Sequence, residues 1–236
     1  VTTVGWESHN SWRAETHTVD EEGTSFSVRA PVPGFSGSYR MPLLGRHQVP
    51  NALLAIATAA GFGLDADTVR VGLTACRSAP HRLTLLRLPG VRVLDDSYNA
   101  NLDSTLAALE TLDSLPCSGR RIAILGDMME LGRHTRADHE AVGRRAGEGS
   151  VSQLVAVGRY RQWMAAAARE TGLRDIREFS SVESAAAELE TLVDEGDLVL
   201  VKASRALGLD RLVDTLRRRA RVRSVDEEPE ARSRDT

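Results

Sequence analysis

The chain has 236 residues, enough for one large domain or two modest ones, and its 42% hydrophobic and 27% charged residues are an ordinary balance for a globular protein. No run approaches the roughly 18 apolar residues of a membrane span, no basic-then-apolar export pattern opens the chain, and a net charge of −3 gives no electrostatic case for nucleic acid. Cys76 and Cys117 are too few for a disulfide scaffold or a cysteine metal site, so reduced thiols in a cytoplasm are expected.

Residues 1–44 hold short alternating stretches, such as 17–20 and 24–30, broken by Gly23, Pro31, Pro33, Gly34 and Gly37; strands and turns are predicted there. At 51–63 (NALLAIATAAGFG) small and apolar residues read as a helix ending on glycines, and a second helix is predicted over 65–76. From residue 81 the rhythm changes. Strand-like apolar runs at 83–88, 91–96, 121–125, 153–157 and 197–201 alternate with helical stretches at 103–115, 138–148, 160–171, 182–194 and 208–220. Strands alternating with helices imply parallel pairing through right-handed crossovers, in a sheet covered on both faces. The expected division is therefore a first part over 1–76, an α/β, Rossmann-like domain with a mostly parallel sheet over 77–222, and a disordered polar tail over 223–236. Neither G-x-G-x-x-G nor G-x-x-x-x-G-K-[ST] is present, so nicotinamide or flavin binding is unsupported and no phosphate loop is available.

Four polar segments interrupt this pattern. The first, GRHQVPNALLAIATA (45–59), puts His47 and Asn51 where a helix begins, and Asn51 suits an N-cap. The second, SAPHRLTLLRLPGVRVLDDSYNANLDST (78–105), ends a strand on Asp95 and Asp96 and continues into a turn, with Asp103 or Ser104 as candidate caps for the next helix. The third, RRIAILGDMMELG (120–132), places Gly126 and Asp127 at a strand end, with His139 following and Met128 and Met129 suited to packing. The fourth, DLVLVKASRALGLDRL (197–212), delivers Lys202, Ser204 and Arg205 to a strand end just before a helix whose N-terminus favours anions. Carboxyl ends of parallel strands are where α/β sheets bind ligands.

In this order, the four segments resemble motifs of the Mur ligase family. The strings DDSYNAN, LGDMMELG and VKASR are similar to those of its branch that adds D-alanyl-D-alanine to UDP-N-acetylmuramoyl-tripeptide. Gln48, Leu102 and Ala203 stand where that pattern has Asn, Pro and Gly. The resemblance implies an ATP-dependent amide ligase of peptidoglycan precursor synthesis, cytoplasmic, using ATP and Mg2+, in which an acyl phosphate is attacked by the incoming amine. It implies nucleotide contacts at His47, Asn51, His81, Arg82 and Asp96. It implies substrate contacts at Tyr98, Asn99, Asn101, Asp127, Lys202, Ser204 and Arg205, with Glu130 and His139 on the same wall. No metal ligand is expected within the chain, and none of its residues is expected to be catalytic. Residues 1–76 resemble only the latter part of the family's central ATP-binding domain, so the N-terminal half of the ligase is an expected partner. Lys202 is the only lysine, whereas the family mechanism uses two on other segments, so the chain alone is expected to be inactive. Alternatives are a folylpolyglutamate-synthase-type ligase of the same superfamily and a non-catalytic dipeptide-binding module.

Overall fold

The structure, a computed structural model, describes residues 1–231, with side chains described through Arg221. The chain divides into two compact units: Val1–Ala79 together with the short Ser114–Pro116, and the remainder.

The first unit begins with β1 (Val4–Gly5), β2 (Trp12–Asp20), β3 (Gly23–Arg29) and β4 (Gly37–Met41), paired in that order into a four-stranded sheet. Alternation in β3 puts Phe26 and Val28 on the buried face. Against them pack α1 (Gln48–Gly61) through Val49, Ala52, Leu53 and Ile56, and α2 (Ala66–Thr74) through Val69 and Leu73. Asp65 caps α2 by accepting from the amides of Asp67 and Thr68 at 3.1 and 2.9 Å.

The second unit contains β5 (Thr84–Leu88), β6 (Val91–Asp95), α3 (Leu102–Ser114), β7 (Arg121–Gly126), α4 (Thr135–Glu148), β8 (Gln153–Val157), α5 (Arg161–Glu170), β9 (Asp175–Phe179), α6 (Val182–Ala187), α7 (Leu189–Leu192), β10 (Leu198–Lys202) and α8 (Asp210–Ala231). Its sheet order is β5-β6-β10-β7-β8-β9, parallel throughout except for β5, which forms an antiparallel hairpin with β6. The reason is local: Pro89 and Gly90 leave room only for a tight turn, so no crossover helix can reverse the chain. The central strands β7, β8 and β10 are apolar on both faces, and residues such as Ile122, Ile124, Val155, Val199 and Val201 are buried completely. Each such side chain stabilises the fold by about 1.5–3 kcal/mol relative to exposure.

Two expectations change. The stretch 182–194 splits into α6 and α7 around Glu188. The polar tail expected from residue 223 is helical as far as Ala231, because Arg, Glu and Ala carry good helix propensity and extend a helix already formed on the core; residues 232–236 lie outside the described residues.

The topology defines a crevice. From β6 the chain passes through α3 to β7, continues outward to β8 and β9, and returns through β10 into the gap between β6 and β7. The strand order therefore reverses at β6-β10-β7, and ligands of open α/β sheets bind outside the carboxyl ends of strands at such a point.

Candidate functional site

Three turns meet at these carboxyl ends, and β10 holds them together. Lys202, its last residue, is only 1% exposed. Its Nζ donates to Asp96 Oδ2 at 2.5 Å and to the Asn99 carbonyl at 2.9 Å, both in the turn after β6. Two residues on, Ser204 ties in the turn after β7: its amide donates to the Asp127 carbonyl at 2.9 Å and its Oγ accepts from the Met129 amide at 2.9 Å. The same Oγ donates to the Ala100 carbonyl at 3.3 Å, linking the two turns. Burial pushes the Lys202 pKa below its ordinary value; the Asp96 carboxylate opposes that and the Arg82 charge adds to it.

The turn after β6 is anchored by its two acids. Asp95 Oδ1 accepts from Ser97 Oγ at 2.6 Å and from the Ser97 amide at 3.2 Å, while Oδ2 lies 2.9 Å from His81 Nδ1. Asp96 Oδ1 accepts from the Leu83 amide at 3.0 Å, and the Tyr98 amide donates to the His81 carbonyl at 3.1 Å. These bonds fall on both sides of Arg82, where His81 and Leu83 adopt φ of 60° and 48°. Left-handed backbone at non-glycine residues costs about 1–3 kcal/mol and persists only when its surroundings hold it. Glu130, with φ 65°, is the third such residue and also lies at this end of the sheet.

What remains open is a smaller set. Arg82, Tyr98, Asn99, Asn101, Glu130 and Arg205 are exposed, and the Arg82 and Arg205 guanidiniums lie 4.1 and 5.2 Å from the Tyr98 ring centroid. Contacts of this kind restrict the orientation of a planar guanidinium. A cavity of about 270 Å³ opens here, lined by His81, Ser97, Tyr98, Arg205, Gly208, Asp210 and Arg211. Asn101 is exposed but also caps α3: its Oδ1 accepts from the Ser104 amide at 2.9 Å and Ser104 Oγ accepts from the Asn101 amide at 3.2 Å. The cap is thus neither Asp103 nor Ser104 itself, and Leu102 takes the first helical position.

The turn after β7 is closed. Asp127 is 5% exposed, and its two oxygens accept from the amides of Arg159 and Tyr160 at 2.8 and 2.9 Å, ahead of α5. Gly158, at φ 115°, permits this: a Cβ there would sit 2.6 Å from the Asp127 carboxylate. His139 is 0% exposed; its Nε2 accepts from the Met128 amide at 3.0 Å and its Nδ1 donates to the Thr135 carbonyl at 2.5 Å. That pair of bonds fixes the Nδ1–H tautomer. Met128 is buried while Met129, expected to pack, is exposed. Ala203 needs no extra room, since its Cβ faces Gly126, where an added Cβ would lie 2.7 Å away.

The expected substrate contacts Lys202, Ser204 and Asp127, and the expected wall residue His139, are therefore turned into the protein, where they brace its turns. Sequence reasoning gave Asp95 no role beyond a strand end and did not single out Ser97, although both are parts of the anchor. Only the adjacency of two acids at a strand end could have signalled it.

In the first unit, α1 starts at Gln48, three residues before the expected cap Asn51. Asn51 is exposed, and its Nδ2 donates to Gln48 Oε1 at 3.1 Å, while Gln48 Nε2 lies 3.1 Å from His47 Nε2. His47, Gln48 and Asn51 thus form one hydrogen-bonded row at the start of the helix. Nearby, the Arg46 guanidinium lies 4.4 Å from the Trp6 ring. Among the described residues, no group of three or more His, Cys, Asp or Glu side chains is placed to hold a metal ion, and no helix is long and apolar enough to cross a membrane.

A mostly parallel sheet with an anchored polar turn at its switch point defines an α/β protein with a candidate ligand site. Comparison with known proteins gives the family: the "Mur ligase, glutamate ligase domain" matches residues 81–205 and the "Mur ligase middle domain" residues 1–59, and the chain belongs to the Mur ligase family. It is 29% identical over 216 residues to the UDP-N-acetylmuramoyl-tripeptide–D-alanyl-D-alanine ligase of Bacillus subtilis, covering 91% of this chain and 46% of that one. It is 32% identical over 201 residues to the Escherichia coli enzyme of the same name, covering 84% and 42%. A crystal structure of MurF from Acinetobacter baumannii superposes with a TM-score of 0.77 at 25% identity, covering 90% of this chain and 46% of that one. The chain thus spans less than half the length of these relatives.

Proposed function

We propose that the chain is the ligand-presenting part of an ATP-dependent ligase that joins D-alanyl-D-alanine to UDP-N-acetylmuramoyl-tripeptide in cytoplasmic peptidoglycan precursor synthesis. The observation that carries this reading is the set of exposed groups at the switch point, Arg82, Tyr98, Asn99 and Arg205, held by a strained and doubly anchored segment. The motif similarity to ligases of that name points the same way.

In this reading ATP activates the tripeptide carboxylate as an acyl phosphate; the dipeptide amine then forms the amide bond, and phosphate and a proton leave. This chain's residues bind and orient. Arg82 presents a planar fork to phosphate or sugar oxygens. Asp96, whose side chain is 12% exposed, is the residue the family resemblance assigns to the ribose hydroxyls. In the first unit, His47 and Asn51 are the residues the family resemblance assigns to the nucleotide base. Arg205, beside Tyr98, takes the dipeptide carboxylate as a bidentate partner. Tyr98, Asn99 and Asn101 line its approach. Mg2+ would neutralise phosphate charge, held by residues other than those described here.

The test is a chimera joining the N-terminal portion of the Bacillus subtilis relative, which this chain does not match, to the present chain. Amide product should form only with ATP, Mg2+, D-alanyl-D-alanine and the UDP-tripeptide together, and Arg205→Ala should raise the KM for the dipeptide at least tenfold. Turnover with glutamate on a folate acceptor, and none with the dipeptide, would refute the reading. The chain alone should release no phosphate from ATP.

A further inference from the structure

We propose that Lys202 is a positioning residue that acts through Asp96: it fixes the left-handed His81–Arg82–Leu83 segment and thereby sets where Arg82 is presented. That Arg82 serves a nucleotide rests on the reading above; the contact chain from Lys202 to Leu83 does not.

Its links are all observed. Lys202 Nζ holds Asp96 Oδ2, and the opposite oxygen of the same carboxylate holds the Leu83 amide. The Asp96 backbone is fixed too, its amide donating to the Val201 carbonyl at 3.0 Å, one residue before the lysine. Through its second bond, to the Asn99 carbonyl, Lys202 also pins the turn whose Tyr98 amide grips His81. The strained residues on either side of Arg82 are thus each held by a bond leading back to the last residue of β10. An ammonium that is 1% exposed must have acceptors, and both that Lys202 uses lie in the turn after β6. Position matters as well. β10 is the one strand hydrogen-bonded to both β6 and β7, so its end has the shortest reach to both turns. A single ammonium with three donors can hold two acceptors in different directions, which a guanidinium's rigid fork does less readily.

Because Lys202 is the only lysine, lysine-selective 15N labelling of the intact chain gives one side-chain ammonium signal. The expected result is a slowly exchanging signal at neutral pH, since exposed ammonium protons exchange too fast to observe. In Asp96→Asn that signal should be lost or should titrate at lower pH. In Lys202→Met, which keeps the apolar stem, amide exchange of Leu83 and Tyr98 should quicken about tenfold or more, while β8 amides in the same sheet stay protected. Unchanged exchange at Leu83 and Tyr98 in folded Lys202→Met would overturn the proposal. So would a uniform loss of protection across the sheet, which is the mark of a general stability role. If Lys202→Met fails to fold, Asp96→Asn decides: an unaltered lysine signal there removes the link on which the proposal stands.

Discussion

The turns after β6 and β7 begin alike, each with an aspartate at the carboxyl end of a parallel strand, yet they are built for opposite ends. After β7, the Asp127 and His139 side chains bond to backbone groups, and the turn is tied to the segments around it. After β6, Asp95 and Asp96 bond to side chains as well as backbone, to Ser97, His81, Lys202 and the Leu83 amide, and the neighbouring Arg82 and Tyr98 are left exposed. An acid at a strand end is therefore no sign of a ligand contact by itself; what the acid holds in place decides.

Substitutions separate the two cases. Asp96→Ala should destabilise most, by about 3–5 kcal/mol in urea denaturation, because it strands a buried lysine charge without its partner. A loss under 1 kcal/mol would show that the pair is not buried in solution. His139→Ala should cost about 2–4 kcal/mol, from a cavity and an unpaired Met128 amide, with no direct effect on ligand affinity beyond that of destabilisation. Arg205→Ala should change stability by less than about 0.5 kcal/mol, since its described contact is the open Tyr98 ring, and should act on ligand affinity alone.

Lys202 also gives the fold a pH signature. Its folded pKa lies below the unfolded value, so the cost of its burial is fully present at neutral pH. As pH rises from the folded pKa toward about 10.4, the unfolded chain holds a proton the native one has released, and stability rises. Above about pH 10 Tyr39 works the other way, since burial raises its pKa and stability is lost as it ionises. The difference in stability between wild type and Lys202→Met should therefore change through the alkaline range. A flat difference would place Lys202 in contact with solvent.

Much of this architecture could be read from residue pattern. The parallel strands β6, β7, β8 and β10 announce themselves as apolar runs, whereas β9 escaped notice because its five residues, DIREF, include three charges and it pairs only on the β8 side. The α3 cap was ambiguous because Asn101, Asp103 and Ser104 all suit caps, and only the reciprocal bond between Asn101 and Ser104 settles the start. The polar segments stood out in the sequence, but not which of their side chains would be buried as braces and which left exposed. Lys202 and Asp96 are 106 positions apart, and no spacing rule shows that a lysine and an acid so distant will neutralise each other. Nor does a sequence show that His81 and Leu83 are left-handed, since neither is a glycine.

The contrast between an open and a closed turn can be put to one measurement: backbone NMR shifts of the intact chain titrated with D-alanyl-D-alanine. The predicted result is saturable shifts at Tyr98, Asn99 and Arg205 that vanish in Arg205→Ala, with the Asp127–Glu130 turn responding weakly or not at all. Largest shifts at Asp127 or around His139, or no shift at Arg205 at millimolar dipeptide, would contradict the account.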